Sequence, residues 1–561
     1  MTTRSGLPAR FFVRSLLAST ALVTIALAVA GALQAAEAQN LPTGGTTVTG
    51  NVTINQTLPN RLTINQTSNT AITNWQSFSI GAGYRVDVIQ PSTSSAMLAR
   101  VTGTTTSSIA GQLTATGQLV LVNPNGIAIT STGAVTAGSG FVATTLAISN
   151  DDFLSGHWRL TGTGTSAEVS NAGTITVGPG GYAALIGGTV DNSGTIAVPL
   201  GKVGLGSGEL ATLDFSGDGF LQVAVPTAAP GTTALVRNSG KIKSPGGVVE
   251  IKAAAAREMA RQAINMSGVI EARSITGHDG SITLSGSDGA VKVSGRLSVA
   301  ARKTKAGKIT VTGRDIALTG AKLDASGPSG GTIRIGGDLQ GLGTLAHAET
   351  TSIDAATSIM ANATGTGNGG DIVVWSDVQT AFAGTISATG GLLGGNGGEV
   401  EVSSHGLLAY SGLTVLTAPM GKTGTLLLDP YNVTISDAAN SGTGLNAGSL
   451  TPGLTSNIAI STLETALNTA NVTITTGTSS SPGLDAGNIT LTSASNAALR
   501  WSSSATLTLT AANSISLGTA IDAAAGGLTL NAGSTIGATG AISLARFTLA
   551  SGNWVQNTAI L

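Results

Sequence analysis

The sequence predicts an all-β chain wound as a right-handed parallel β-helix, a single-stranded solenoid. Three observations carry that expectation. Short alternating strings such as Val52-Thr-Ile-Asn55, Thr174-Ile-Thr-Val177, Ser281-Ile-Thr-Leu284 and Ile489-Thr-Leu491 recur with no long helical stretch between them. A period of two in Thr, Val and Ile marks strands. Segments also return at solenoid spacing: Asn171-Ala-Gly-Thr-Ile175 reappears as Asn192-Ser-Gly-Thr-Ile196, with looser copies starting at Asn238, Met266, Val293 and Phe382. Finally, 79 of 561 residues are Gly and only 3% are aromatic, so a long core has to be built from small and β-branched side chains.

A second phase of the repeat is Gly before an apolar step, at Gly280-Ser-Ile, Gly307-Lys-Ile, Gly331-Thr-Ile, Gly370-Asp-Ile, Gly398-Glu-Val and Gly424-Thr-Leu. One such unit, holding two or three short strands, cannot bury its own apolar face. Stacked on its neighbours at about 4.8 Å per rung, it can. Sandwiches and propellers would ask for hairpin turns or blades of about forty residues. The repeated Asn before Gly also has a use in a stack, since Asn at the same turn of successive coils can ladder its side-chain amides. Disorder is excluded by 41% hydrophobic residues and a mean hydropathy of +0.30.

Taken from the start, Arg4, Arg10 and Arg14 precede an uncharged apolar run, Leu16 to Leu33, and Ala36-Glu37-Ala38 follows with small residues at the positions read by signal peptidase. We read residues 1–38 as a signal peptide and the mature chain as beginning near Gln39; a retained anchor is the alternative. Export through Sec follows from that reading. No cysteine is present and the net charge is −1 with 10% charged residues, which removes disulfides and thiol chemistry and argues against nucleic acid as a partner.

The stretch from Asn74 to Leu160 holds four ordered blocks: Asn74-Trp75-Gln76-Ser77-Phe78, then Asn123-Pro124-Asn125-Gly126-Ile127, then the Phe141 to Ser149 run, then Asp151-Asp152-Phe153-Leu154. Physically, the apolar strand Leu119 to Val122 feeds a turn in which Pro124 presets φ, Gly126 supplies positive φ, and both Asn residues can bond their own backbone. The four blocks together resemble the secretion domain of filamentous haemagglutinin-type exoproteins of two-partner secretion. The resemblance implies a secretion signature in Asn123 to Ile127 and in Asn74, Trp75 and Phe78, either as a structural corner or as a direct contact with an outer-membrane pore-forming transporter. Where part of that family has a second Asn-Pro-Asn-Leu-like motif, this chain reads Gln90-Pro-Ser-Thr-Ser-Ser95, which favours the adhesin branch.

Looser family-like blocks follow at Leu213 to Gly219, Ala361 to Gly370 with Val374 to Asp377, and Gly424 to Ser436. We therefore divide the mature chain into a secretion domain over 39–300 and a β-helical shaft over 301–561. Two segments break the strand rhythm and read as helices, Ala253 to Ile264 by propensity and Ser461 to Ala470 from a capping box at Ser461-Thr-Leu-Glu464.

Catalytic supply is thin. Four histidines (His157, His278, His347, His405) and dispersed carboxylates offer no constellation, and neighbours such as Asp151 and Asp152 suit a turn or a helix cap better than acid–base work. The Gly-rich segments Gly365 to Gly370 and Gly394 to Gly398 lack the regularly placed Asp of calcium-binding repeats, so no metal and no cofactor is expected. The sequons, among them Asn51-Val-Thr and Asn362-Ala-Thr, follow from a composition rich in Asn and Thr. The leading expectation is a secreted, non-enzymatic exoprotein, extracellular or on the cell surface, acting as an adhesin towards a glycan or protein receptor on host cells or bacteria. The alternatives are a β-helical polysaccharide-active enzyme and the truncated transport part of a haemolysin or contact-dependent toxin.

Overall fold

The computed structural model describes residues 40–556, apart from 216–218, 229–230, 232, 258–261, 442–454 and 478–486; the expected signal peptide lies outside them. One coil shows the plan. Gln118–Val122 lies on a first face, Ile127–Ile129 on a second and Ala134–Ala137 on a third, and Gly140–Thr144 then returns to the first. It pairs there in parallel with Gln118–Val122, Gly140 opposite Gln118 and Thr144 opposite Val122. Among the described residues the second face collects 11 strands and the third 14. The fold is a parallel β-helix.

Register turns the alternating sequence into core columns. On the third face Leu113, Val135, Ile175, Ile196, Ile242, Ile270, Leu297 and Leu323 lie opposite one another in series, all buried. Each contributes about 1.5–3 kcal/mol by leaving water. The amide ladder also forms: Asn171 Nδ2 donates to Asn192 Oδ1 (2.8 Å), and Asn192 Nδ2 to Asn238 Oδ1 (2.6 Å). Asn238 Nδ2 then meets Met266 Sδ (3.2 Å), which ends the column. Beside it runs a column of glycines at Gly194, Gly240, Gly268 and Gly295, where a Cβ would come within 2.1–2.2 Å of the carbonyl oxygen of the glycine one rung earlier.

Antiparallel strands cover the first coil. Thr46–Thr49 pairs with Thr70–Trp75, and Val52–Leu58 with Arg61–Gln66, so the stack does not present bare edges there. A second layer was not anticipated from the sequence. Ala147–Ile148, Trp158–Thr161, Leu210–Leu213 and Leu221–Ala224 form a four-stranded antiparallel sheet. It buries the outward side chains of the first face, Leu98, Val120, Val142, Ala184 and Ile186, in a separate apolar cluster. Its signal was the consecutive apolar runs, because Tyr182–Gly187 is buried at all six positions and does not alternate.

Both helix expectations need correction. Val248–Ala253 and Ile264–Met266 are strands, Ala254 and Ala255 are buried outside any helix, and 258–261 lie outside the described residues. Rung pairing of Ile264 with Val236 and Val291 overrides the propensity of the Ala-rich segment. The second helix exists, over Ile460–Leu467, but its N-cap is Ala459 with no side-chain cap. Glu464 does not complete the capping box; it accepts from Arg500 N (2.8 Å). This helix takes the place of a strand on the third face, with Thr469 Oγ1 just past its end donating to Thr414 O (2.6 Å) on the rung beneath. Beyond it, three parallel ladders continue and share the long strand Ile521–Ala538. No helix among the described residues is long and apolar enough to cross a membrane.

Candidate functional site

The two signature blocks meet on one edge of the rod. Residues 75–79 form a corner between the first and second faces, 102–106 form the corner of the next coil, and 123–126 that of the coil after it. Thr102 N donates to Trp75 O (2.8 Å), and Thr102 Oγ1 to the same oxygen (3.1 Å). Asn125 Nδ2 donates to Gly103 O (2.8 Å), and Asn123 Nδ2 to Thr105 O (2.9 Å) and Ser107 Oγ (2.9 Å). Three successive corners are thus sewn into one column.

Within it the residues divide by burial. Asn123 is fully buried and organises the turn: its Oδ1 accepts from Asn125 N (3.0 Å) and Asn125 Nδ2 (3.0 Å), while its carbonyl accepts from Gly126 N (3.1 Å). Gly126 needs its φ of 112°, which costs a side-chain-bearing residue strain. Ile127 is buried between Ser107 and Val169. Pro124 and Asn125 are exposed at the tip. Trp75 and Phe78 are core residues, ring centroids 5.3 Å apart at 89°, and Trp75 Nε1 donates to Thr73 Oγ1 (2.9 Å). Asn74 stands opposite Arg100, with its Oδ1 buried and without a hydrogen-bond partner.

The remaining blocks anchor the outer layer. Arg100 Nη2 donates to Ile148 O (2.9 Å) and Asn150 Oδ1 (3.1 Å). Ser149 caps the helix Asn150–Ser155: its Oγ accepts from Asp152 N (3.0 Å) and donates to Asp152 Oδ2 (2.8 Å). Asp151 and Asp152 therefore sit in a first helical turn, where negative charge is favoured. Phe153 turns inward onto Trp158, centroids 5.5 Å apart.

Elsewhere, Asp371 beside the Gly-rich loops is committed to Arg334, Oδ2 to Nη2 2.6 Å. No group of three or more His, Asp or Glu side chains among the described residues could hold a metal ion. Sequence reasoning did miss one convergence: His347 and His405 both lie beside Trp375, with centroids 6.1 and 6.2 Å from the indole.

Comparison with known proteins adds to this geometry. The TPS secretion domain family matches residues 38–299. Two curated relatives, both named heme/hemopexin-binding protein and both from Haemophilus influenzae, are similar to this chain. One is 30% identical over 317 residues, 54% of this chain and 34% of the relative. The other is 41% identical over 110 residues, 20% of this chain and 12% of the relative. The chain thus spans about a third or less of the curated relatives it matches. The solved HMW1 secretion domain from Haemophilus influenzae is 32% identical and is covered in full, over 68% of this chain, with a TM-score of 0.60.

Proposed function

Because the chain belongs to the exoproteins of two-partner secretion, we propose that it leaves the cell through a dedicated outer-membrane transporter and acts outside as a surface-binding rod. Residues 1–38 direct it through Sec, residues 39–300 address the transporter, and the coils beyond them form the shaft. The observation that carries the reading is the corner column that joins Asn74–Phe78 to Asn123–Ile127. In this reading the buried members, Trp75, Phe78, Asn123 and Ile127, build the corner, Gly126 holds its shape, and Asn74 sits on the strand that leads into it. The exposed Pro124 and Asn125 offer the contact to the transporter.

Outside the cell the rod serves as an adhesin. The names of the curated relatives, which bind heme and hemopexin, favour ligand capture over catalysis. Folding rung upon rung as the chain emerges helps to draw it out, because each coil needs only its predecessor to bury its core.

Expression in a double-membrane host with and without the transporter tests this reading. Release into the medium should depend on the transporter. Asn125→Ala should slow release without altering β-structure, whereas Asn123→Ala should lower stability by about 1–3 kcal/mol as well, because it strips buried partners of their bonds. Transporter-independent release, or retention in the periplasm with the transporter present, overturns the proposal.

A further inference from the structure

After Thr332–Ile335 the chain leaves the first face, crosses outside the rod over residues 336–348 and returns at Thr350–Ile353. This strap lies tightly on Trp375: a Cβ at Gly337 or Gly341 would come within 2.7 or 2.8 Å of the indole. Under it Glu401, whose side chain faces outward from the first face, is 1% exposed, and its Oε2 accepts from Gln340 N (2.9 Å). Between the strap and the coils that follow lies a cavity of about 640 Å3, walled by Trp375 and Tyr431 and lined by His347, Asp377, His405 and Asp429.

Its charge is one-sided. No Lys or Arg among the described residues lines it, and the neighbouring guanidinium, Arg334, is committed to Asp338 (3.1 Å) and Asp371 (2.6 Å). Asp377 Oδ1 meets His347 Nδ1 (3.1 Å). Burial pushes the Asp429 carboxyl above its ordinary range, with Thr475 and His405 opposing it. Burial also pushes Glu401 up to about 7, and the nearby Asp429 adds to that rise, whereas the Gln340 amide, Ser403 and Arg334 oppose it. Asp377 and Asp429 thus give the cavity two carboxyls and no Lys or Arg, a balance that suits a cation.

Aromatic walls favour a cation on a carbon framework over a hydrated metal ion, and the side chains here do not converge as a metal-ligand set. The cavity is also wide, and Gln340, Thr476 and two imidazoles can bond ring hydroxyls. We propose that it binds a cationic amino-sugar unit, its ammonium set against Asp429 and its ring between Trp375 and Tyr431. The proposal deepens the surface-binding reading by naming a ligand class, and it rests on that reading only for where the sugar is met.

Calorimetric titration of the purified, folded mature chain with glucosamine and its β-1,4-linked trimer tests it, independently of export. Binding is expected, with N-acetylglucosamine and its trimer at least tenfold weaker. Asp429→Asn should weaken glucosamine binding at least tenfold, whereas Glu401→Gln, whose side chain is 1% exposed and outside the lining, should leave binding unchanged. Failure of glucosamine to bind, equal binding of the N-acetylated sugars, unaltered binding by Asp429→Asn, or tighter binding of Nα-acetyl-lysine amide would each overturn the assignment. None of these results bears on secretion.

Discussion

Two buried glutamates show how the same side chain is held in opposite ways. Burial raises the pKa of Glu209, but the Ser166 and Thr227 hydroxyls and the Ser166 and Gly164 amides outweigh it and hold the carboxylate below its ordinary range. Glu401 has one backbone donor at Gln340 and is pushed up to about 7. A carboxyl whose folded pKa lies above its unfolded value binds the proton more tightly when folded. Its stabilising effect is therefore full below the unfolded value, near 4.5, and is lost as pH rises through about 7. A rise of that size corresponds to about 3 kcal/mol at most. Glu401→Gln should thus raise the urea midpoint at pH 8 and leave it nearly unchanged at pH 4. A gain that is equal at both values would show that charge burial is not the cause.

Among elements, the rungs were legible in the sequence and the coverings were not. Thr174–Val177 and Thr195–Ala197 announce themselves because one face of each is core and the other solvent, which writes a period of two. The outer sheet is invisible to that test, since Trp158 pairs with Leu213 across a long stretch of chain and its strands show only as extra apolar positions on the rungs they cover. The strap was missed for a similar reason: nothing local in 336–348 says that it lies on Trp375. The signature blocks could be recognised, yet their meeting on one edge depends on register two coils apart. The outer sheet is energetically separable as well. Trp158 is buried among Phe153, Tyr182 and Phe215, at centroid distances of 5.5, 6.1 and 5.0 Å. Trp158→Ala should cost about 3–5 kcal/mol, concentrated in that layer. Hydrogen exchange should show amides of 147–161 and 210–213 losing protection while the rungs carrying Ile175, Ile196 and Ile242 keep theirs. Uniform loss along the chain would mean that the two layers fold as one.

At the scale of the molecule, the rod is a stack in which each coil bonds to the coils before and after it, so stability is a sum of rung and interface contributions. Such a stack is cooperative only while every interface holds. The glycine column is where an interface is most exposed to damage, because the chain turns there with backbone against backbone. A Cβ on Gly268 would lie 2.1 Å from Gly240 O, and that contact cannot be relieved by a side-chain rotation. Gly268→Val should therefore push the coils of Asn238 and Met266 apart, uncoupling the rod at one rung while leaving the coils on either side intact. The tryptophans report the two sides separately, with Trp75 and Trp158 before the break and Trp375, Trp501 and Trp554 after it. Urea unfolding followed by fluorescence of single-tryptophan variants should give coincident transitions in the parent chain and two separated ones with Gly268→Val. If both sides of the variant still unfold together at a lower midpoint, the interface at this rung is not the point at which the stack divides.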